Sequence, residues 1–485
     1  MMALKYHFTF ESIMTKDELE DLIETEEEGE GEGEAAFDNS RLAWFDRKQV
    51  AGLPALLVGV HKGPKEEAVA KEHLEELCLL AETHGIQTIE ALTISIRTYS
   101  AATFLSEGKL ADLKEAVDKL GAKLVVFDDD ISPAQQRNLE SFLGVPVIDR
   151  TEVILGVFAD RAKTKEAKLQ VALAQVKYIS PRLKRMWTHL SRQSGTGSSG
   201  GGGAYLKGEG EKQIEIDRRI LKRKIDRLQQ QIKEVSAYRQ TQRTLRERSA
   251  IPTFAIVGYT NAGKSTLMKA LTKADVFIED KLFATLDTTT RKFVLPETNQ
   301  ELLLIDTVGF IRKLPHLLVT AFRSTLEEAA QADILIHVID TSNEMALEQS
   351  KTTLSVLKEL DAKDKPVITC FNKMDLVHGP EATSGMSKSY QQLRLTYPRA
   401  VELSANQGMG IDALLHEMKL MLQDRRERLT LCVPQAEYHV VADALRQGKV
   451  HSQEYEDNNV LIDVDIPRSI IFRFERFIKG KGVHS

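Results

Sequence analysis

The chain has 485 residues, a formal net charge of −6 and three cysteines. A chain of this length is expected to form three or four domains, each large enough for its own core. The cysteines are far apart in the sequence, which excludes a disulfide framework or a cysteine-based metal cluster and suits a reducing compartment. No apolar run approaches the roughly 18 residues that cross a bilayer, and the N-terminus has no signal-peptide pattern. We therefore expect a soluble, cytoplasmic protein.

Residues 1–50 are predicted to form an acidic, largely disordered segment. Residues 26–34 consist of glutamates and glycines and offer no apolar face that could pack, which is typical of a solvated, charged segment. An acidic arm with a function of its own is the alternative interpretation.

Residues 51–158 are predicted to form an α/β domain, because strand-like and helical patterns alternate along them. Strands are expected at residues 55–60, 86–96, 124–127 and 145–148, and helices at residues 66–83, 109–120 and 133–143. Such alternation predicts a small parallel or mixed sheet with helices packed on it. The segment contains no phosphate loop, metal-ligand spacing or nucleophile elbow, so a scaffold or docking role is favoured over a second active site.

Residues 159–248 are predicted to form a basic pair of helices. Between Asp160 and Arg248 there are 22 lysines and arginines against 9 aspartates and glutamates, although the whole chain is acidic. Apolar residues recur mostly every three or four positions in two stripes, residues 169–190 and 214–235, which predicts two long helices packed antiparallel. Pro181 should kink or interrupt the first helix.

The segment between these helices, residues 194–210, is rich in glycine and serine. A flexible connector is the usual meaning of that composition, but a turn between two helices needs only a few residues. Basic residues flank the segment on both sides. A basic hairpin with a flexible tip is suited to insertion into a crevice lined by phosphates, and we favour this interpretation.

Residues 249–429 are predicted to form a nucleotide-binding domain. A buried strand is expected at residues 254–257, and it is followed by a phosphate-loop pattern, Gly258-Tyr259-Thr260-Asn261-Ala262-Gly263-Lys264-Ser265. Glycines let several backbone N–H groups point at one phosphate chain, while Lys264 neutralises phosphate oxygens and Ser265 binds Mg²⁺. A helix expected at residues 267–273 adds the dipole of its N-terminus to the site.

Three further motifs follow strand-like runs in this domain. Asp306-Thr307-Val308-Gly309 provides a carboxylate that can hold Mg²⁺ through water and an N–H at Gly309 that can sense the γ-phosphate. Asn372-Lys373-Met374-Asp375 provides a carboxylate that can accept from two donors of guanine, N1–H and the exocyclic amine, a pair that adenine lacks. Ser404-Ala405-Asn406 can present a backbone N–H to guanine O6. Four motifs in this order resemble the GTPase G-domain and predict a guanine-nucleotide site.

Residues 430–485 are predicted to form a small α+β domain. The last helix of the preceding domain is expected at residues 411–428, and residues 429–434 are expected to be a break. A helix at residues 437–447 and strands near residues 451–455 and 460–464 follow. No motif stands out here, so a docking or packing domain is favoured.

From about residue 97 onward the sequence resembles the HflX GTPases. The most specific similarity lies outside the motifs that many GTPases share, in the runs ISPAQQRNLE (131–140), VIDRT (147–151), RAKTKEAKLQV (161–171), RMWTHLSRQ (185–193) and EIDRR (215–219). Phe283-Ala284-Thr285-Leu286-Asp287 and residues 306–315 resemble the switch segments of that family. The fold class expected for the chain is therefore α/β multidomain, with a P-loop G-domain, an N-terminal α/β domain, an antiparallel helical hairpin and a small C-terminal α+β domain.

The resemblance implies a GTPase with GTP or GDP and Mg²⁺ as cofactors, and we expect it to act as a monomer. It further implies binding to the large ribosomal subunit and its RNA, and splitting of stalled ribosomes into subunits under stress. In that family the hairpin tip reaches toward the peptidyl-transferase region. Thr285 would be the switch I threonine that binds Mg²⁺ when the γ-phosphate is present.

These motifs define the predicted site. The predicted catalytic residues are Lys264, Thr285 and Gly309, and the predicted metal ligands are Ser265, Thr285 and Asp306. The predicted nucleotide contacts lie in the four motifs and switch I, and comprise Gly258, Tyr259, Thr260, Asn261, Ala262, Gly263, Lys264, Ser265, Thr266, Phe283, Ala284, Thr285, Leu286, Asp287, Asp306, Thr307, Val308, Gly309, Asn372, Lys373, Met374, Asp375, Ser404, Ala405 and Asn406.

The hairpin tip departs from the family pattern. Lys207-Gly208-Glu209-Gly210-Glu211 stands where the family typically has Arg-Gly-Pro-Gly-Glu. Lysine lacks the planar bidentate fork of arginine, and Glu209 adds flexibility and negative charge beside the expected RNA.

Phe310 is the residue directly after Gly309, where many GTPases have a glutamine that orients the attacking water. Its side chain offers no hydrogen-bond donor or acceptor for that purpose. We therefore predict slow hydrolysis by the protein alone and strong stimulation by ribosomes.

Two other functions fit parts of the sequence. One is a regulatory or assembly switch that binds the large subunit in the presence of GTP without splitting ribosomes. The other is an RNA-remodelling ATPase with a second nucleotide site in the N-terminal domain, which the lack of a phosphate loop there disfavours.

Overall fold

The computed structural model describes residues 46–183, 218–237, 251–273, 282–283, 285–286, 288–296, 300–313, 328, 330–360, 362–379, 383–423, 426–456 and 458–479. The chain divides into two compact units. The first unit comprises residues 1–236, 279–287 and 313–324, and the second comprises residues 237–278, 288–312 and 325–485. The predicted acidic run and the predicted glycine-rich tip lie outside the described residues.

The first unit is built on a parallel four-stranded sheet. Its strands are β1 (Pro54–His61), β2 (Gln87–Ser95), β3 (Leu124–Phe127) and β4 (Val147–Asp149), in the order β2-β1-β3-β4. Its helices are α1 (Arg47–Val50), α2 (Pro64–His84), α3 (Glu107–Leu120), α4 (Pro133–Leu143), α5 (Arg150–Arg161), α6 (Lys165–Leu183) and α7 (218–237). The predicted alternation of strands and helices is confirmed. The fourth strand begins later than predicted, because Pro146 has no N–H to contribute to a ladder.

Local sequence signals set the ends of α4. Ser132 and Gln135 form a capping box at its start, with Pro133 in the first turn. Gly144 ends the helix in the left-handed region, at φ 70°, which glycine adopts without steric cost. These signals bring the chain back to the sheet edge where β4 begins.

The domain boundary predicted between residues 158 and 159 falls inside α5, three residues before the end of that helix at Arg161. Every residue from Arg150 to Phe158 is buried, so this helix is part of the core of the unit rather than its edge. Gly156 permits close packing, since a Cβ there would overlap the ring of His84. The next helix, α6, continues through Pro181 to Leu183, so Pro181 does not end it.

The described part of the second basic helix, α7, has the predicted apolar stripe. Leu221 and Leu228 are buried, while Arg218, Arg219 and Lys222 are exposed. The antiparallel pairing of the two basic helices remains a prediction, since the residues that connect them lie outside the described ranges.

The second unit contains a six-stranded sheet in the order β10-β9-β8-β5-β7-β6. Its strands are β5 (Thr253–Gly258), β6 (Thr289–Leu295), β7 (Gln300–Asp306), β8 (Ile334–Asp340), β9 (Val367–Asn372) and β10 (Val401–Glu402). All neighbouring pairs are parallel except β6 with β7. The helices of this part are α8 (Lys264–Thr272), α9 (Ala346–Glu359), α10 (Met374–Val377), α11 (Ser384–Thr396) and α12 (Ile411–Gln423).

A separate antiparallel sheet follows at the C-terminal end of the second unit. It consists of β11 (Arg426–Pro434), β12 (Lys449–Glu456) and β13 (Asn459–Pro467), in the order β11-β13-β12, and α13 (Tyr438–Gln447) packs on it. The break predicted at residues 429–434 is wrong, because these residues are the second half of β11. The domain boundary predicted at residue 429 therefore cuts a strand, and the preceding helix ends at Gln423 instead of residue 428.

Among the described residues, no helix is both long and apolar enough to cross a membrane.

Candidate nucleotide site

The phosphate loop lies between β5 and α8, at the carboxyl edge of the parallel sheet. Gly258 ends β5, and a Cβ there would overlap the backbone oxygen of Val338. Gly263 adopts φ 91°, and a Cβ there would overlap the side-chain nitrogen of Asn372. Both positions therefore require glycine. The following helix starts at Lys264, three residues before the predicted start, so the N–H groups of its first turn lie next to the loop.

Lys264 is buried, and among the described residues the carboxylate of Asp306 is the anion that favours its charged form. Its Nζ donates to the backbone oxygen of Tyr259 at 2.7 Å. Burial lowers the pKa of Lys264 to about 8, an effect that the Asp306 carboxylate partly opposes. A phosphate group placed beside this ammonium would remove much of the cost of its burial.

Ser265 and Asp306 form the candidate metal position. The Ser265 hydroxyl donates to the Asp306 carboxylate at 2.7 Å. Asp306 is the last residue of β7 and is fully buried. A hydroxyl and a carboxylate oxygen are hard ligands of the kind that Mg²⁺ prefers, so the residues present fit this ion.

Gly309 lies against the phosphate loop. A Cβ on Gly309 would lie 2.7 Å from the Thr260 side chain and 3.0 Å from Lys264 Nζ, so only glycine fits. The next residue, Phe310, is almost fully buried, and its side chain has no group that could form a hydrogen bond with a water at the phosphate site. Thr307 has a structural role, since its hydroxyl donates to the backbone oxygen of Ile256 at 2.7 Å.

The two predicted guanine motifs are joined to the phosphate loop through Asn372. Its side-chain nitrogen donates to the backbone oxygen of Ala262 at 2.8 Å, and its side-chain oxygen accepts from the N–H of Ala405 at 2.9 Å. Asp375 lies at the start of α10, where Gln407 Nε2 approaches its carboxylate at 3.5 Å. The structure thus brings three of the predicted motifs together through one amide side chain.

Switch I is divided between described and undescribed residues. Thr285 belongs to the first unit, whereas Ser265 and Asp306 belong to the second, so its predicted contact with Mg²⁺ remains a prediction. Phe283 is buried in the first unit, where its ring meets that of Phe158 edge-on at 4.6 Å. The predicted contacts at Ala284 and Asp287 lie outside the described residues.

Two residues that hold this site in place were missed by the sequence analysis. Asp340 ends β8 and forms an ion pair with Lys373 at 2.7 Å. Thr341 follows it, and its hydroxyl donates to the backbone oxygen of Asn372. Their position after a buried strand was the available signal, because neighbouring parallel strands end at the same edge of a sheet.

Three family models match successive parts of the chain. Residues 71–159 match a model described as GTP-binding GTPase N-terminal, residues 161–246 match GTP-binding GTPase Middle Region, and residues 253–373 match 50S ribosome-binding GTPase.

Similar proteins cover most of the chain. GTPase HflX of Chlamydia pneumoniae is 44% identical over 446 residues, which cover 91% of this chain and 92% of that protein. GTPase HflX of Akkermansia muciniphila is 45% identical over 428 residues, which cover 88% of this chain and 97% of that protein. Among solved structures, the complex of SsGBP with GDP matches at 24% identity and a TM-score of 0.43, over 76% of this chain and 98% of that one.

Proposed function

The chain belongs to the HflX family of GTPases, and we propose that it binds the large ribosomal subunit and splits stalled or idle ribosomes into subunits under stress. The observation that carries the proposal is the match of residues 253–373 to a model described as 50S ribosome-binding GTPase. The basic composition of residues 160–248 supports it, since a basic surface favours binding to RNA phosphates. A role on the ribosome places the protein in the cytoplasm, and we propose that it acts there as a monomer.

The residues of the phosphate loop would bind the phosphate chain of GTP. Backbone N–H groups at the start of α8 and the buried ammonium of Lys264 face this position. Ser265 and Thr285 would hold Mg²⁺ directly and Asp306 would hold it through water. When bound there, Mg²⁺ would supply positive charge that offsets the charge developing on the phosphate chain during hydrolysis.

Asp375 would select guanine by accepting from N1–H and the exocyclic amine. The N–H of Ala405 is already used by the side chain of Asn372. We therefore assign the contact with guanine O6 to the backbone N–H of Asn406.

Gly309 would detect the γ-phosphate through its backbone N–H. Phe310 has its ring buried and contributes no polar group, so a group outside the side chain at this position must orient the attacking water. We infer that hydrolysis is slow in the protein alone and is stimulated on the ribosome.

The domain organisation proposed for this function follows the predicted ranges with two changes. The N-terminal α/β domain extends through α5 to residue 161, and the C-terminal domain begins at Arg426. The basic hairpin, which lies in sequence between the N-terminal domain and the G-domain, would reach the ribosomal RNA. Whether GTP or GDP is bound would determine when the protein binds the ribosome and when it leaves.

Sedimentation of intact ribosomes on sucrose gradients tests the proposal. Ribosomes are incubated with the full chain and either a non-hydrolysable GTP analogue or GDP, and phosphate release from GTP is followed in parallel samples. We expect subunits with the analogue only. A Lys264→Ala variant, which should not bind the nucleotide tightly, is the matched control.

Two other results would contradict the proposal, one for the splitting of ribosomes and one for the binding to ribosomes. Intact ribosomes, with the protein found only on isolated large subunits, would favour the alternative of a GTP-dependent assembly or regulatory switch. The description of the matching model names binding and not splitting, so this alternative has support of its own. Absence of the protein from every ribosomal fraction would remove the ribosomal assignment altogether.

A further inference from the structure

Tyr259 occupies a position of the phosphate loop where the loop pattern accepts any residue. Its side chain is nevertheless buried, with 7% of its surface exposed. The hydroxyl oxygen of Tyr259 accepts a hydrogen bond from the backbone N–H of Arg312 at 2.7 Å. A side chain of the phosphate loop is thus bonded to the segment that follows Gly309, which is the segment expected to respond to the γ-phosphate.

Two backbone hydrogen bonds join the same two segments. The N–H of Thr260 donates to the oxygen of Phe310 at 2.8 Å, and the N–H of Phe310 donates to the oxygen of Gly258 at 3.1 Å. Residues 258–260 and 310–312 are therefore held side by side by three hydrogen bonds, two from the backbone and one from a side chain. We call this arrangement the loop–switch bridge.

The loop–switch bridge determines where Gly309 lies. Gly309 directly precedes the bridged segment and lies beside Lys264, because a Cβ on Gly309 would be 3.0 Å from Lys264 Nζ. A phosphate oxygen bound by the Lys264 ammonium is consequently within the neighbourhood of the Gly309 N–H. Holding the bridged segment in place keeps Gly309 beside the Lys264 ammonium, and donors held in fixed positions are the preorganisation that electrostatic catalysis requires.

We propose that Tyr259 is a positioning residue for GTP hydrolysis, which acts by fixing the segment after Gly309 against the phosphate loop. Phe310 holds that segment in place through its buried ring and its backbone hydrogen bonds. The Tyr259 hydroxyl adds a hydrogen bond two residues further along, with the N–H of Arg312. A polar side chain at position 310 is then not needed to keep Gly309 beside the γ-phosphate. GDP has no γ-phosphate, so its binding does not depend on this contact.

A Tyr259→Phe variant of the full chain tests the proposal, because it removes only the hydroxyl. Calorimetric titration gives the affinities for GDP and for a non-hydrolysable GTP analogue, and single-turnover experiments give the rate of GTP hydrolysis without ribosomes. We expect unchanged GDP affinity, analogue affinity weakened about fivefold, as for the loss of one hydrogen bond, and a lower hydrolysis rate. Hydrogen exchange at the Arg312 amide should become faster in the same variant.

Tyr397→Phe is the matched control. Its hydroxyl lies 2.6 Å from the hydroxyl of Ser350 in the same unit, away from the phosphate loop, and its loss should leave both affinities and the rate unchanged. An equal loss of GDP and analogue affinity in Tyr259→Phe would reduce Tyr259 to a structural role in the loop. Unchanged binding and hydrolysis, or faster hydrolysis, would overturn the proposal. Since the assay contains no ribosomes, none of these results bears on ribosome splitting.

Discussion

At the scale of single residues, Lys264 has the most unusual electrostatic environment in the site. Its pKa of about 8 in the nucleotide-free protein lies below the ordinary value of 10.5, because burial disfavours the charged form. Bound phosphate favours the charged form, so nucleotide binding must raise this pKa. Binding is therefore strongest below pH 8 and weakens as the pH rises above it, since the neutral amine must then take up a proton upon binding.

We accordingly predict that GDP binds about threefold more weakly at pH 8.5 than at pH 7.5. Calorimetric titration in buffers with different ionisation enthalpies should show uptake of a proton near pH 8.5. A Lys264→Arg variant, whose guanidinium stays charged, should lose this pH dependence even if its affinity is lower. Equal affinities at both pH values, without proton uptake, would show that the lysine is already charged in the free protein.

Asp375 is predicted to set base specificity through two acceptor contacts with guanine. An Asp375→Asn variant offers one donor and one acceptor in place of two acceptors, and xanthine carries a carbonyl where guanine has its exocyclic amine. We expect the variant to bind GDP at least tenfold more weakly and to bind xanthosine diphosphate better than the unchanged protein does. Competition titrations with the two nucleotides measure this.

The asparagine variant needs a control for folding, because Gln407 approaches the same carboxylate. Gln407→Ala removes that neighbour and should leave the preference for guanine intact. An Asp375→Asn variant that keeps its preference for GDP would place guanine recognition elsewhere.

At the scale of elements, Arg182 holds the C-terminal end of α6, the first basic helix, in place. Its guanidinium donates to the Asp149 carboxylate at 3.2 Å, to the backbone oxygen of Ile131 at 3.0 Å and to Gln136 Oε1 at 3.2 Å. It also stacks over the ring of Tyr178, 3.5 Å from the ring centre. The C-terminal end of α6 is thereby attached to the N-terminal sheet, so this helix and that sheet should move together.

We predict that Arg182→Met destabilises the protein by about 3 kcal/mol, because it leaves the buried Asp149 without its cation. Burial already raises the pKa of Asp149, and Arg182 opposes that rise. Denaturant unfolding followed at pH 7 measures the loss, with the exposed Lys168→Met on the same helix as the control.

A double variant identifies the cause of this loss. In an Asp149→Asn background the carboxylate is absent, so Arg182→Met should cost clearly less than it does alone. An identical cost in both backgrounds would assign the effect to packing on Tyr178 rather than to the ion pair.

Elements in regular α/β segments could be predicted from sequence, whereas elements that depend on distant partners could not. The helix at residues 133–143 was predicted correctly because its start and end signals, Ser132, Pro133 and Gly144, lie within the segment itself. By contrast, β6 went unpredicted: its residues are mostly exposed, and it is an edge strand held by pairing with β7. Residues 429–434 are predicted as a break, but they belong to the edge strand β11, which ends at Pro434.

At the scale of the whole molecule, the sequence predicts which residues form the candidate nucleotide site but not how those residues are connected. Contiguous motifs identified the phosphate loop, Asp306 and Asn372, which the structure brings to one sheet edge. The bond from Arg312 to the Tyr259 hydroxyl was not predictable, because it joins residues 53 positions apart and no pattern requires it. The assignment of residues 279–287 and 313–324 to the first unit was likewise not predictable, since it depends on packing between residues distant in sequence.

Residues 279–287 and 313–324 belong to the first unit, although the chain around them belongs to the second. Phe283 is buried against Phe158, and Lys313 forms ion pairs with Asp128 and Asp129. Gene recombination that transferred the nucleotide-binding segment by itself would separate both insertions from these partners and expose an aromatic ring to water. Recombination at the ends of the nucleotide-binding segment is therefore expected to be selected against, because it removes the partners of Phe283 and Lys313.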